Sequence, residues 1–144
     1  MVRKDFIKTK INSIEADLLR LAEFKGESMN GIASDFHKLN VVERLLEKII
    51  MRAIDINEHL IAELGTGEDE RMSYKKTFLY LSDLKICPKK FAEEISKSAG
   101  LRNALVHDYD DIKIADVYGS IEDGLKQFHE YCSYVLKFID NCEL

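Results

Sequence analysis

VVERLLEKIIMRAIDINEHLIAEL, residues 41–64, is the stretch on which the fold turns. Val42, Leu46, Ile49, Ala53, Ile56 and Leu60 recur at alternating steps of four and three, the spacing that keeps side chains on one face of an α-helix. Leu45, Ile50 and Ile61 widen that face beyond a narrow seam. Upstream, Ser34 or Asp35 can cap the helix, and Gly65 closes it downstream. The pattern predicts one long helix with a broad apolar side.

The same rhythm extends outward in both directions. Ile7, Ile11, Ile14, Leu18 and Leu21 form the stripe of a first helix, and KGESMNGIAS (25–34) breaks it with two glycines and polar residues. After GTGEDER (65–71), which reads as an exposed loop, Ser73 can start a helix carrying Tyr74, Phe78, Leu81 and Leu84, with Pro88 as its stop. A further helix starts near Lys89, buries Phe91 and Ile95, and meets an interruption at Gly100. The last long helix carries Ile121, Leu125, Phe128, Cys132, Val135 and Ile139. Gly119 and Gly124 weaken its first turns by about 1 kcal/mol each relative to alanine. With no period-two alternation and no internal repeat, the expectation is all-α: an up-and-down bundle of four to five helices, residues 1–144 forming one domain. Broad apolar faces in so small a bundle also leave surface for a second copy to cover.

Composition narrows the function. A chain with 46% apolar and 33% charged residues, one proline and seven glycines can bury a real core. Its net charge of −5 argues against a protein that coats duplex DNA through a broad basic surface. Locally the sign reverses, since Lys85, Lys89, Lys90, Lys97 and Arg102 oppose only Glu93 and Glu94. Three cysteines (Cys87, Cys132, Cys142) lack a CxxC spacing and fit a reducing compartment. There is no signal-peptide pattern and no apolar run of membrane-spanning length, so a cytoplasmic location is expected.

Reactive side chains concentrate in GLRNALVHDYDDI (100–112). Arginine presents a permanently charged planar fork to phosphate oxygens, and histidine can move a proton near neutral pH. An Arg–His pair therefore suits phosphodiester cleavage without a metal: His107 would exchange the proton of a ribose 2′-hydroxyl or of the leaving oxygen, and Arg102 would hold the charge on phosphorus. Asn103 can add a neutral donor or orient the histidine. Five residues apart on a straight helix, however, Arg102 and His107 lie about 140° apart. Either the helix bends or ends between them, or the long arginine wraps round, or the cleft lies between two subunits. The plain alternative is a surface hydrogen-bond network. A metal site at His107 with Asp108, Asp110 and Asp111 lacks a second histidine or cysteine at suitable spacing. His37, His59 and His129 read as surface residues.

Arg102, His107 and Tyr109, with Asn103 and Val106 between them, resemble the Arg-x4-His-x-Tyr motif of HepT-type toxins in the HEPN superfamily. The similarity extends through AIDINEHLIAEL and SYKKTFLYLSDLKICPKKFAEEISKSAGL, while residues 1–35 match only as a helix pattern. The resemblance implies a HEPN-like fold and a metal-independent endoribonuclease with no cofactor of its own. It also implies a homodimer in which Arg102 and His107 of both subunits line one cleft, with Asn103 as a neighbour. A minimal nucleotidyltransferase antitoxin would be the partner, transferring AMP to Tyr109 and so adding bulk and negative charge beside His107. The chain's acidity departs from an ideal RNA binder. A second class is therefore carried along: a non-catalytic helical dimer that binds the nucleotidyltransferase, a nucleotide, or both.

Overall fold

The computed structural model describes residues 1–65, 72–107 and 113–142. Among them lie seven helices: α1 (Lys4–Ala22), α2 (Met29–Ala33), α3 (Phe36–Leu64), α4 (Tyr74–Asp83), α5 (Lys89–Ser96), α6 (Ser98–His107) and α7 (Ile114–Asp140).

The stripes do what their spacing demands. Ile7, Ile11, Ile14, Leu18 and Leu21 of α1 are buried, as are Val42, Leu46, Ile49, Ala53, Ile56 and Leu60 of α3. From α7 come Val117, Ile121, Phe128, Tyr131, Cys132, Val135 and Ile139. Asp35 is the cap of α3, its carboxylate accepting from His37 N (3.0 Å) and Lys38 N (3.1 Å). Ser73 caps α4 by accepting from Lys76 N at 3.2 Å.

Cross-links give the topology. Lys10 pairs with Asp55 (3.1 Å) and Asp17 with Arg52, so α1 runs antiparallel to α3. Lys8 pairs with Asp140 (3.8 Å) and Lys4 Nζ donates to the Cys142 carbonyl (3.0 Å), so α1 is antiparallel to α7 as well. α3 and α7 are thus parallel, and the return pass between them is divided among α4, α5 and α6. The expected up-and-down bundle is present, with its third column broken into three pieces.

Two polar clusters brace the columns. Asp17 is 1% exposed yet lies among Arg20 (2.9 Å), Lys48 (3.5 Å) and Arg52. Buried between α3, α4 and α7, Asn57 Nδ2 donates to Thr77 Oγ1 at 3.2 Å, and the Tyr131 hydroxyl donates to Asn57 Oδ1 at 2.6 Å. That hydroxyl also stands 3.0 Å from the Ala53 carbonyl. Every member is partnered, as a buried network must be if it is to add to stability.

The structure departs from the sequence reading at helix ends. Residues 29–33 inside the expected break form a short helix, with Ser28 Oγ accepting from Gly31 N at 3.0 Å. The helix begun at Ser73 ends at Asp83, five residues before Pro88. There Lys85 adopts φ 60°, Ile86 N donates to the Leu81 carbonyl (2.9 Å) and Lys85 N to the Ser82 carbonyl (3.0 Å). This is the Schellman termination that glycine usually serves, and a lysine there costs about 1 kcal/mol relative to glycine. The break after α5 falls at Lys97, and Gly100 lies within α6. Gly124 is buried where α7 approaches Leu46 and Leu21.

Candidate functional site

α6 carries the charged motif and is the least anchored of the helices around it, with Ala99 its one buried residue. Ser98 Oγ donates back to the Ile95 carbonyl at 2.6 Å and Gly100 N to Lys97 O at 3.1 Å, so the α5–α6 corner is tied by its own backbone. From Ser98 to His107 the helix is continuous. It does not end between Arg102 and His107, so by helical spacing the two residues lie about 140° apart.

Arg102 is half-buried and turned toward α4. Its guanidinium carbon lies 5.2 Å from the centroid of the Tyr74 ring, a cation–π arrangement. Nη1 stands 3.4 Å from Asn103 Oδ1, a long and weak contact. Nε is buried and has no hydrogen-bond partner among the described residues. The guanidinium is therefore held in place by a ring while little of its hydrogen-bonding capacity is used. Tyr74, which the sequence offered only as a core residue, is the platform for this cation. No local signal marks it, because the two residues are 28 positions apart in the chain.

His107 is exposed at the last position of α6. On the helix wheel it falls about 20° from Gly100 and about 60° from Ala104. Those two residues line an open groove of about 430 Å³ between α6 and the start of α7, whose other wall includes Lys113, Asp116 and Ser120. A second hollow of about 140 Å³ adjoins it at Leu101, Ser120 and Asp123. Within one chain, Arg102 thus faces α4, while His107 falls on the helix side that carries Gly100 and Ala104 and is not itself part of the groove lining. Asn103 is exposed and contacts Arg102, with no hydrogen bond to His107 among the described residues. Tyr109, with Asp108, Asp110 and Asp111, lies outside the described residues.

The remaining histidines and cysteines have structural settings of their own. His59 is half-buried rather than a plain surface residue: its Nε2 accepts from Arg3 N at 2.9 Å and its ring lies 5.2 Å from that of Phe6. His37 and His129 are exposed. Burial pushes the Cys87 thiol up to about 11 and the Cys132 thiol up to about 12, which leaves neither as a nucleophile at neutral pH. Among the described residues no group of three His, Cys, Asp or Glu side chains could hold a metal ion. No helix among them is long and apolar enough to cross a membrane.

The family model described as ribonuclease HepT-like matches residues 14–135. A tRNA nuclease HepT from Aphanizomenon flos-aquae is 34% identical over 139 residues, covering 95% of this chain and 92% of the relative. An mRNA nuclease HepT from Shewanella oneidensis is 24% identical, covering 91% and 96%. In three dimensions the chain superposes on the tri-AMPylated Shewanella oneidensis HEPN toxin, solved in complex with MNT antitoxin, with TM-score 0.83 and 23% identity over 94% of this chain and 99% of the toxin. It also superposes on a cytosolic protein of unknown function, YutE from Bacillus subtilis, with TM-score 0.79 and 18% identity over 96% and 92%. The likeness in fold is HEPN. The match along most of the sequence goes further: the chain belongs to the ribonuclease HepT-like family.

Proposed function

We propose that this chain is the endoribonuclease toxin of a toxin–antitoxin pair, acting on cytoplasmic RNA as one helical domain that works in pairs. Its relatives are a tRNA nuclease and an mRNA nuclease, and a structural neighbour is a HEPN toxin bound to MNT antitoxin. The observation that carries the site is Arg102 held over the Tyr74 ring on an unbroken α6 that ends at an exposed His107, beside an open groove. With Arg102 laid on Tyr74, one α6 does not aim both side chains at a single point, and a second copy packed along α6 would complete the cleft.

In such a cleft Arg102 and His107 are the catalytic residues. A histidine takes the proton of the ribose 2′-hydroxyl, whose oxygen forms a bond to phosphorus. The bond from phosphorus to the 5′-oxygen then breaks, and the leaving oxygen receives a proton. Arg102, already oriented by Tyr74, donates to the non-bridging oxygens as their charge rises. Asn103 supports the guanidinium. The products are a 2′,3′-cyclic phosphate and a 5′-hydroxyl, and no resident cofactor takes part.

Silencing would come from a minimal nucleotidyltransferase antitoxin that transfers AMP to Tyr109, two residues from His107, as AMPylation is seen on the Shewanella oneidensis toxin. Bulk and added negative charge there would exclude the RNA backbone.

The test is purified, unmodified protein incubated with tRNA and mRNA in chelator. Cleavage leaving cyclic phosphate ends is expected, together with an intact-mass gain of AMP on Tyr109, abolished by Tyr109→Phe, after incubation with antitoxin, ATP and magnesium. Partner or nucleotide binding without cleavage of any RNA would place the chain in the non-catalytic class instead.

A further inference from the structure

Charge is divided unevenly between this chain's parts. Residues 72–107 hold seven Lys and Arg against three Asp and Glu, net +4, whereas the remaining 108 residues hold fourteen against twenty-three, net −9. The division is sharper still in the ion pairs. Lys8, Lys10, Arg20, Lys38, Arg44, Lys48 and Arg52 all pair with carboxylates in or beside α1, α3 and α7. None of the cations of α4–α6 forms an ion pair among the described residues.

Their placement also runs against local preference. Lys75 and Lys76 occupy the first turn of α4, and Lys89 and Lys90 the first turn of α5, where the helix dipole disfavours positive charge, and neither turn holds an acidic residue. Lys85 takes the left-handed position between the two helices that glycine would fill without strain. All five lysines are exposed. Local rules broken repeatedly along one segment, residues 75–90, point to a ligand that rewards the arrangement. A polyanion does so, because backbone amides at the helix N-termini and the lysines favour the same charge.

The segment begins at the site. Tyr74, which carries the Arg102 guanidinium, is followed directly by Lys75 and Lys76. We propose that the α4–α5 hairpin is the backbone-binding track for single-stranded RNA, with Lys75 and Lys76 holding phosphates next to the one engaged by Arg102, and Lys85, Lys89 and Lys90 holding those further along the strand. This inference rests on the ribonuclease reading above. It also explains how an acidic protein acts on RNA: seven of the fourteen cations outside residues 72–107 are paired with neighbouring carboxylates.

The experiment measures binding of a fluorescent single-stranded RNA by anisotropy across a salt series, in a His107→Ala background so that the strand stays intact. Lys75→Gln/Lys76→Gln is compared with Lys25→Gln/Lys137→Gln, which removes the same charge from exposed positions outside α4–α6. Removing one lysine–phosphate pairing lowers the slope of log affinity against log salt by about 0.7. The Lys75/Lys76 pair should therefore reduce the slope by about 1.4 and bind roughly 20-fold more weakly near 0.1 M salt. The control pair should stay within about twofold. In the otherwise wild-type protein, the Lys75/Lys76 pair should raise KM and leave kcat in place. Equal weakening in both pairs, or an unchanged slope in a protein that still cleaves RNA, would overturn the track and leave the ribonuclease reading standing. So would weakened antitoxin binding with RNA binding intact, which would make the hairpin a protein dock. Failure of the unmodified wild type to bind or cleave any RNA would instead remove both proposals.

Discussion

In the columns α1, α3 and α7, charges are consumed internally: Asp17 is buried and gathers Arg20, Lys48 and Arg52, while Lys10 reaches Asp55 across the helix pair. In the return pass α4–α6, the cations stand exposed or, like Arg102, lie over a ring with a buried Nε that has no partner among the described residues. Seven cations in or beside the columns form ion pairs, and among the described residues none of the cations of the return pass does. Such a contrast is expected where a rigid frame carries a site that must meet a ligand. It also predicts that damage to the two parts will be read by different assays.

The largest effects belong to the return pass and to activity alone. Arg102→Ala and His107→Ala should each cut RNA cleavage by about 10²- to 10⁴-fold, with thermal midpoints close to the parent because His107 is exposed and Arg102 makes one ring contact. Co-expressing the two inactive variants sharpens the contrast. If the cleft takes its arginine and histidine from different copies, mixed dimers retain intact sites and recover up to about a quarter of parental activity. A mixture as dead as its components would sink the shared cleft.

Next in size comes an effect confined to the columns. Tyr131→Phe removes the hydroxyl that serves Asn57 Oδ1 and leaves that oxygen buried without its donor. The cost should be about 1–3 kcal/mol in urea denaturation, with cleavage per folded molecule unchanged. If activity fell with stability intact, the frame and the site would not be separable.

A third measurement compares how the two parts open. At pH 8 the raised thiols of Cys87 and Cys132 are almost wholly protonated, so alkylation must proceed through exposure of each cysteine. Cys87 lies at the foot of the α4–α5 hairpin and is 8% exposed, whereas Cys132 is 1% exposed within α7. Cys87 should label at least about tenfold faster, through local opening that spares the columns. Equal rates would mean that the hairpin opens only with global unfolding.

What the sequence disclosed follows the same division. The stripes of α1, α3 and α7 were legible because burial on one face imposes a period on the chain itself. Caps such as Asp35 and Ser73 were legible because a short polar side chain acts on its own neighbours. Asp17 sat in plain view three residues after Ile14, yet its partners Lys48 and Arg52 come from another helix. The Asn57–Thr77–Tyr131 network and the Arg102–Tyr74 stack were hidden for that reason: no local pattern encodes contacts made across the fold. For the candidate site, residue types were legible and their facing was not. The motif spacing raised the difficulty of about 140°, and an unbroken α6 removes a helix end between the two residues as its answer.

The smallest effect tests the return pass at one residue. Pro88 reads as the helix stop, but the chain turns earlier, with Lys85 at φ 60° and Ile86 tucked back onto Leu81. Glycine adopts that conformation without a Cβ clash, so Lys85→Gly should raise stability by about 1 kcal/mol or somewhat less, the gain being reduced by glycine's freedom in the unfolded chain. The same change removes one cation from the hairpin and should weaken single-stranded RNA binding a few-fold, roughly the effect of one phosphate contact. Opposite signs in the two assays are the informative result, since a residue that merely closed a helix would move stability alone. A gain in stability with RNA affinity untouched would confine Lys85 to the turn and shorten the track to its Lys75 and Lys76 end.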